Sequence, residues 1–177
     1  MNDFFAVMGL PRSAWLDGEE LKERFHRLSA ERHPDAPSGS GAAFSALNEA
    51  WQTLREPVSR LRHFLELTAP DSVVTSGGAP AELGDLFMDI ATLKQLAGAM
   101  EKPASPLARA LLEPRRLALL ERFSGVEARL AEAMEQGHDE IRNPAATATE
   151  FAATLGRLTF LSRWSRQMRE LQLELDS

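Results

Sequence analysis

The apolar residues of this chain recur at intervals of three and four, and no stretch alternates apolar with polar over the length of a strand. Residues at that spacing line one side of an α-helix, whereas a half-buried strand needs a period of two. The spacing therefore predicts an all-α fold in which each helix buries one face. A length of 177 residues suits one large domain or two small ones.

Punctuation by Gly, Pro and capping residues divides the pattern. Asp3 is placed to cap a short helix through Met8, and Gly9 offers a left-handed stop. Asp17-Gly18-Glu19-Glu20 has the form of a capping box and predicts a second helix from near Gly18. Leu21, Phe25 and Leu28 give that helix its buried stripe, while Lys22, Arg24, His26, Arg27 and Arg32 occupy its other faces. Pro34 should stop it, because proline disfavours helical geometry at the residue before it. After a loop at Ala36–Gly41, Phe44, Leu47, Trp51 and Leu54 mark a third helix with Trp51 in the core. Pro57 suits the first turn of a fourth, which carries Val58, Leu61, Phe64, Leu65 and Leu67.

The second half repeats the helical pattern. Leu83, Leu86, Phe87, Ile90, Leu93 and Leu96 form one stripe, which assigns Phe87 and Leu93 to a core and leaves Met88 at the surface. Lys102–Pro106 reads as a turn, with Ser105 and Pro106 opening the next helix. Pro114 should kink or restart that helix. Leu119, Phe123, Val126, Leu130 and Ala133 continue it, and Gly137 is read as its end. Asn143-Pro144 is a turn, and Thr147 with Glu150 offers a second capping box. A last helix carries Phe151, Leu155, Leu158, Leu161, Met168, Leu171 and Leu175, with Trp164 half-exposed. The expected organisation is four helices over residues 1–67, a linker at 68–81, and an antiparallel three-helix bundle at 82–177.

Composition removes several kinds of chemistry. With no Cys there is no disulfide, thiolate nucleophile or thiolate zinc site. A formal charge of −6 argues against nucleic acid as a partner. The apolar runs are too short to span a bilayer, and the N-terminus has neither a signal sequence nor an Arg-rich transit peptide. A bacterial cytoplasm is the expected location. Ser38-Gly39-Ser40-Gly41 lacks the G-K-[ST] of a phosphate loop, and no nucleophile, base and orienting group recur at a useful spacing. His138-Asp139-Glu140 is read as loop residues that do not converge on a metal, and His26 and His63 stand isolated. Neither a cofactor nor a metal is expected.

The sharpest local feature is His33-Pro34-Asp35, where a basic helix ends and a loop begins. Pro34 fixes the turn, so His33 and Asp35 should project from a tip. An exposed Asp35 carboxylate can take a bidentate bond from a partner's arginine, and the cations beside it would steer toward an acidic surface.

The order short helix, basic helix, His-Pro-Asp, loop, apolar helix resembles a J-domain. Asp3-Phe4-Phe5-Ala6-Val7-Met8-Gly9-Leu10 is similar to the family's D-Y-Y-x-x-L-G-L opening. Phe25-His26-Arg27-Leu28 resembles its Y-R-x-L segment, and Leu47-Asn48-Glu49-Ala50-Trp51-Gln52-Thr53-Leu54 its I-N-E-A-Y-x-x-L helix. The run from Arg55 to Leu67 resembles the x-D-P-x-x-R-A-x-Y-L-L-x-L segment of the HscB branch. The resemblance implies a non-enzymatic co-chaperone that stimulates the ATPase of a DnaK- or HscA-type chaperone. It implies chaperone contacts at His33, Pro34 and Asp35, with Lys22, Arg24, His26 and Arg27 on the basic face. The chain departs from the family at Ala36 and His26, where basic residues are common, and Glu23 and Glu31 dilute the positive charge of the second helix.

HscB proteins follow the J-domain with a three-helix bundle that binds the iron–sulfur scaffold IscU. Their F-L-M-E-Q-x-E-L-R-E segment aligns with Leu86–Gln95. The resemblance implies scaffold contacts at Phe87, Met88, Asp89, Ala91, Thr92 and Gln95. At Ala91, Thr92 and Gln95 the family has a large apolar residue and two acids, so a J-domain co-chaperone with a different client stays open. So does a helical adaptor in which the tripeptide is accidental.

Overall fold

Proline, glycine and local caps set the helix ends in the computed structural model, which describes residues 2–35, 40–72, 80–99 and 105–175. Among these residues the elements are α1 (Phe4–Met8), α2 (Gly18–Arg32), α3 (Gly41–Leu54), α4 (Pro57–Thr68), α5 (Gly84–Gly98), α6 (Pro106–Ile141) and α7 (Ala148–Leu175). Two short 3-10 turns, Pro70–Ser72 and Ala81–Leu83, lie at the edges of the expected linker. The described residues contain no strand. The fold is all-α, a helical hairpin with short flanking helices followed by an antiparallel three-helix bundle.

The local caps operate as their residue types require. Asp3 accepts from the Ala6 N–H at 3.2 Å, and Gly9 ends α1 at φ 64°, a conformation that suits glycine. Asp17 accepts from the Glu20 N–H at 2.9 Å, and Ser105 from the Ala108 N–H at 3.2 Å. The Thr147–Glu150 box closes in both directions. The Thr147 N–H donates to Glu150 at 2.7 Å, and the Glu150 N–H to Thr147 Oγ1 at 3.3 Å. Donation from the Thr147 N–H, and from the Thr147 hydroxyl at 2.8 Å, holds the Glu150 carboxyl below its usual range. Residues 36–39 of the expected loop at Ala36–Gly41, residues 102–104 of the expected turn at Lys102–Pro106, and Val73 and Val74 fall outside the described residues.

The chain divides into two units, Met1–Thr75 with His138–Leu155, and Ser76–Gly137 with Gly156–Ser177. In the first unit Phe5, Met8, Leu21, Leu47, Ala50 and Leu54 form the buried centre, with Phe25, Leu28, Trp51 and Phe64 packed around it. Each large side chain so buried contributes about 1.5–3 kcal/mol by removal from water. Trp51 is half-buried rather than fully enclosed, stacked on Phe25 at a centroid distance of 4.7 Å. Phe151 meets Phe64 edge to face at 5.8 Å within the same unit.

The second unit buries Leu86, Ile90 and Leu93 of α5, Leu119, Phe123, Val126 and Leu130 of α6, and Leu158, Leu161, Trp164 and Met168 of α7. Four sequence expectations change here. Phe87 and Leu96 belong to the stripe by spacing, yet they are 48% and 39% exposed, because a three-helix bundle covers only an arc of α5 and leaves the stripe's margins in water. Trp164 is buried at 5% exposure, three residues past Leu161 and four before Met168 on the inner face of α7. Pro114 does not restart α6, which runs from Pro106 to Ile141 with the proline inside it.

Gly137 does not end α6 either. It lies within the helix, buried, and a Cβ there would sit 2.6 Å from Leu158 Cδ2 and 2.9 Å from its Cγ. The missing side chain lets α7 approach closely. Gly137→Val should therefore destabilise the protein by about 1–3 kcal/mol through overpacking, although a side chain ordinarily improves a helix interior. Equilibrium urea unfolding checks the sign, and Leu158→Ala in the same chain should recover part of the loss.

Candidate functional site

The tip is built by the end of α2. His33 has φ −53° and ψ 138°, the extended geometry that a residue before proline adopts. Pro34 then turns the chain, and the Asp35 N–H donates back to His33 Nδ1 at 3.3 Å. The imidazole ring stands edge-on to Phe44 of α3 at 5.4 Å, so α3 braces the turn. The Asp35 side chain is 91% exposed, with Oδ2 3.4 Å from His33 Nδ1. Neutral imidazole accepts the Asp35 amide at Nδ1, whereas imidazolium pairs with the Asp35 carboxylate. His33, Pro34 and Asp35 thus form one braced turn with its acid turned to solvent.

The expected cations of α2 separate into two kinds. Lys22, His26 and Arg27 are exposed, and Lys22 pairs loosely with Glu19 at 3.6 Å. Arg24 is instead half-buried, and its Nη1 donates to the Gly9 carbonyl at 2.7 Å and the Met8 carbonyl at 3.4 Å. Arg32 donates to the Val7 carbonyl at 3.1 Å. Five residues make α1 too short to satisfy its own last carbonyls, and these two guanidiniums of α2 do so. Arg24 is therefore a tie between α1 and α2 rather than an open member of the basic face. Gly9 keeps the tie clear, since a Cβ there would lie 3.1 Å from Arg24 Nη1.

Two buried side chains of α4 hold the frame behind the tip. His63 is not isolated as its sequence context suggests. Its Nε2 accepts from the Phe4 N–H at 3.1 Å, and its ring stacks on Phe5 at 5.6 Å. Arg60 donates from Nε to the Ala14 carbonyl at 3.0 Å and from Nη1 to the Leu54 carbonyl at 2.8 Å. Desolvation disfavours its charge, and Glu56 partly offsets this. At the other end of α1, burial alone would raise the Asp3 carboxyl, but the Ala6 N–H and the Arg12 guanidinium hold it below its usual value.

Burial pushes the His63 imidazole below its ordinary value despite the opposing charges of Glu66 and Asp3. The unfolded chain therefore binds a proton more readily than the folded one. The resulting contribution to stability is complete above about pH 6.5 and declines as pH falls through the His range. Unfolding midpoints between pH 8 and pH 5 should drop in the parent more than in His63→Gln. Equal slopes in the two proteins would contradict this assignment.

A second candidate surface lies on α5. Phe87, Met88, Ala91, Thr92 and Gln95 are all exposed and share one side of the helix. Phe87 borders Trp164 at a centroid distance of 5.9 Å, and the Thr92 hydroxyl donates to the Met88 carbonyl at 2.8 Å. Asp89 lies off this strip and pairs with Arg129 of α6. His138, Asp139 and Glu140 lie in the last turn of α6, not in a loop, and Asp139 pairs with Arg142 at 2.6 Å. No cluster of His, Asp or Glu among the described residues could hold a metal ion, and no helix among them is long and apolar enough to cross a membrane.

Residues 3–63 match the DnaJ domain family. The chain is 33% identical over 107 residues to the chaperone protein DnaJ of Nostoc punctiforme, a match that takes in 57% of this chain and 28% of that protein. The chaperone HscB from Vibrio cholerae superimposes with a TM-score of 0.56 at 19% identity, covering 98% of this chain and 99% of that one. The human co-chaperone HscB superimposes with a TM-score of 0.51 at 20% identity, covering 97% and 83%. A braced His-Pro-Asp turn at the end of a basic helix, a matching family model and a shared architecture all point the same way: the chain carries an N-terminal DnaJ domain and, over nearly its whole length, the fold of the HscB co-chaperones.

Proposed function

We propose that this protein is a non-enzymatic co-chaperone of iron–sulfur cluster assembly in the bacterial cytoplasm. Its DnaJ domain accelerates ATP hydrolysis by a DnaK- or HscA-type chaperone, and its bundle brings an IscU-type scaffold to that chaperone. The observation that carries the reading is the Asp35 carboxylate, 91% exposed on a turn braced by Pro34, His33 and Phe44. The carboxylate takes an arginine of the chaperone, while Lys22, His26 and Arg27 contribute attraction to an acidic surface. Arg24 acts one step back by fixing α1 against α2.

On the bundle, Phe87 and Met88 supply the apolar contact for the scaffold, and Ala91, Thr92 and Gln95 its neutral border. Exposed Phe and Met side chains suit adaptable protein contacts. Asp89 contributes through its pair with Arg129, which fixes this part of α5 on α6. Residues 1–67 are read as the chaperone-facing domain, 68–81 as the linker and 82–177 as the scaffold-facing domain. Carrying both surfaces in one chain raises the concentration of scaffold near the chaperone without any new contact. Co-purification with an IscU-type scaffold and a DnaK-type chaperone tests the pair of partners. Both should be retained by the parent, and Met88→Glu should lose the scaffold alone. Retention of the chaperone with no scaffold would assign the bundle to another client.

A further inference from the structure

Five residues of α6 recur at helical spacing along one face: Leu107, Leu111, Arg115, Ala118 and Arg122. Leu107 and Leu111 are each 72% exposed. Beside them a groove of about 510 Å³ is lined by Leu96 of α5, by Ala99 just past its end, and by Leu112, Arg115, Leu119 and Arg122 of α6. None of these residues belongs to the Phe87–Met88 strip, and of the groove's lining only Leu119 also packs in the bundle core.

Its charge is as informative as its apolar surface. Arg116, Arg129 and Arg157 pair with Glu113, Asp89 and Glu82. Arg115 and Arg122 make no hydrogen bond or ion pair among the described residues, although both border the groove. Two open leucines continued by two unpaired guanidiniums match a ligand with apolar anchors about one turn apart and carboxylates alongside them. We infer that this face of α6 binds an acidic amphipathic helix of a partner protein, with its apolar side in the groove and its carboxylates on Arg115 and Arg122. The contact is a second protein-binding surface of the bundle and does not depend on the chaperone or scaffold assignments.

The test uses the full chain and a fluorescein-labelled peptide of about 18 residues, with Leu at i, i+4 and i+7 flanked by Glu. Fluorescence anisotropy should show saturable binding that weakens with added salt. Arg115→Glu with Arg122→Glu should weaken it by about tenfold or more, since like charges would then face each other. Leu107→Ser with Leu111→Ser should also reduce binding while the helical circular dichroism stays unchanged. A peptide with Lys in place of Glu should bind the parent poorly and the double Glu variant better. Equal binding of the Glu and Lys peptides, or no binding of the Glu peptide, would overturn the proposal. So would self-association of the parent in sedimentation experiments that the double Glu variant abolishes, since the occupant would then be a second copy of this chain.

Discussion

Asp35→Asn is expected to reduce stimulation of a DnaK-type ATPase to background while leaving the protein folded. Asparagine keeps the shape of the side chain and removes its charge. The carboxylate is 91% exposed and, among the described residues, pairs only with His33, so the fold has little to lose. A surface change of this kind shifts stability by no more than about 0.5 kcal/mol. The proposed docked complex is different, because in it the carboxylate would be desolvated against a guanidinium. Removing one member of such a pair costs about 2–5 kcal/mol, which corresponds to roughly 30-fold to several-thousand-fold weaker engagement. Single-turnover hydrolysis should fall accordingly at concentrations where the parent saturates. Circular dichroism and the melting temperature should not move. Stimulation equal to that of the parent would remove Asp35 from the contact.

The largest stability effect is expected at Arg60. Its guanidinium joins the loop before α2, through the Ala14 carbonyl, to the end of α3, through the Leu54 carbonyl. Arg60→Met keeps most of the aliphatic stem and leaves both carbonyls buried without a donor. Each unsatisfied group costs about 1–3 kcal/mol, so a total loss of roughly 2–5 kcal/mol is expected against a usual stability of about 5–15 kcal/mol. For a chain of this size the melting temperature should fall by about 5–20 °C. Arg60→Lys should lose nearly as much, because an ammonium is a point donor and cannot repeat the planar fork. A shift below about 1 °C in Arg60→Met would show that water or a repacked neighbour satisfies those carbonyls.

The contrast between these two residues explains what the sequence could disclose. Asp35 was legible because its neighbours define it: a proline at 34 and a basic helix before it. The caps at Asp17 and Thr147 were legible for the same reason, since donor and acceptor lie three residues apart. Arg60 and His63 were not. Their partners lie 46 and 59 residues away in the chain, and no spacing rule connects them. Arg24 reads as one more cation on a basic helix until the fold brings the Gly9 carbonyl to it.

Gly137 and Trp164 show the same limit in the second unit. A glycine after a run of helical residues usually marks an end, and only the approach of Leu158 shows that this one marks a close crossing. Trp164 was readable in part, because its spacing from Leu161 and Met168 places it on their stripe. Phe87 fits its stripe equally well and is nonetheless half-exposed. Periodicity finds the face of a helix, but the width of the buried arc depends on how many neighbours cover it.

The braced turn at residues 33–35 is proposed to engage the nucleotide hydrolase of a chaperone. A direct test is single-turnover ATP hydrolysis by a DnaK-type chaperone, titrated with the unaltered 177-residue chain. The hydrolysis rate should rise with concentration to a plateau, and the half-maximal concentration should increase with salt, as Lys22 and Arg27 are screened. A rate that stays at the chaperone's basal value across the whole titration would contradict it.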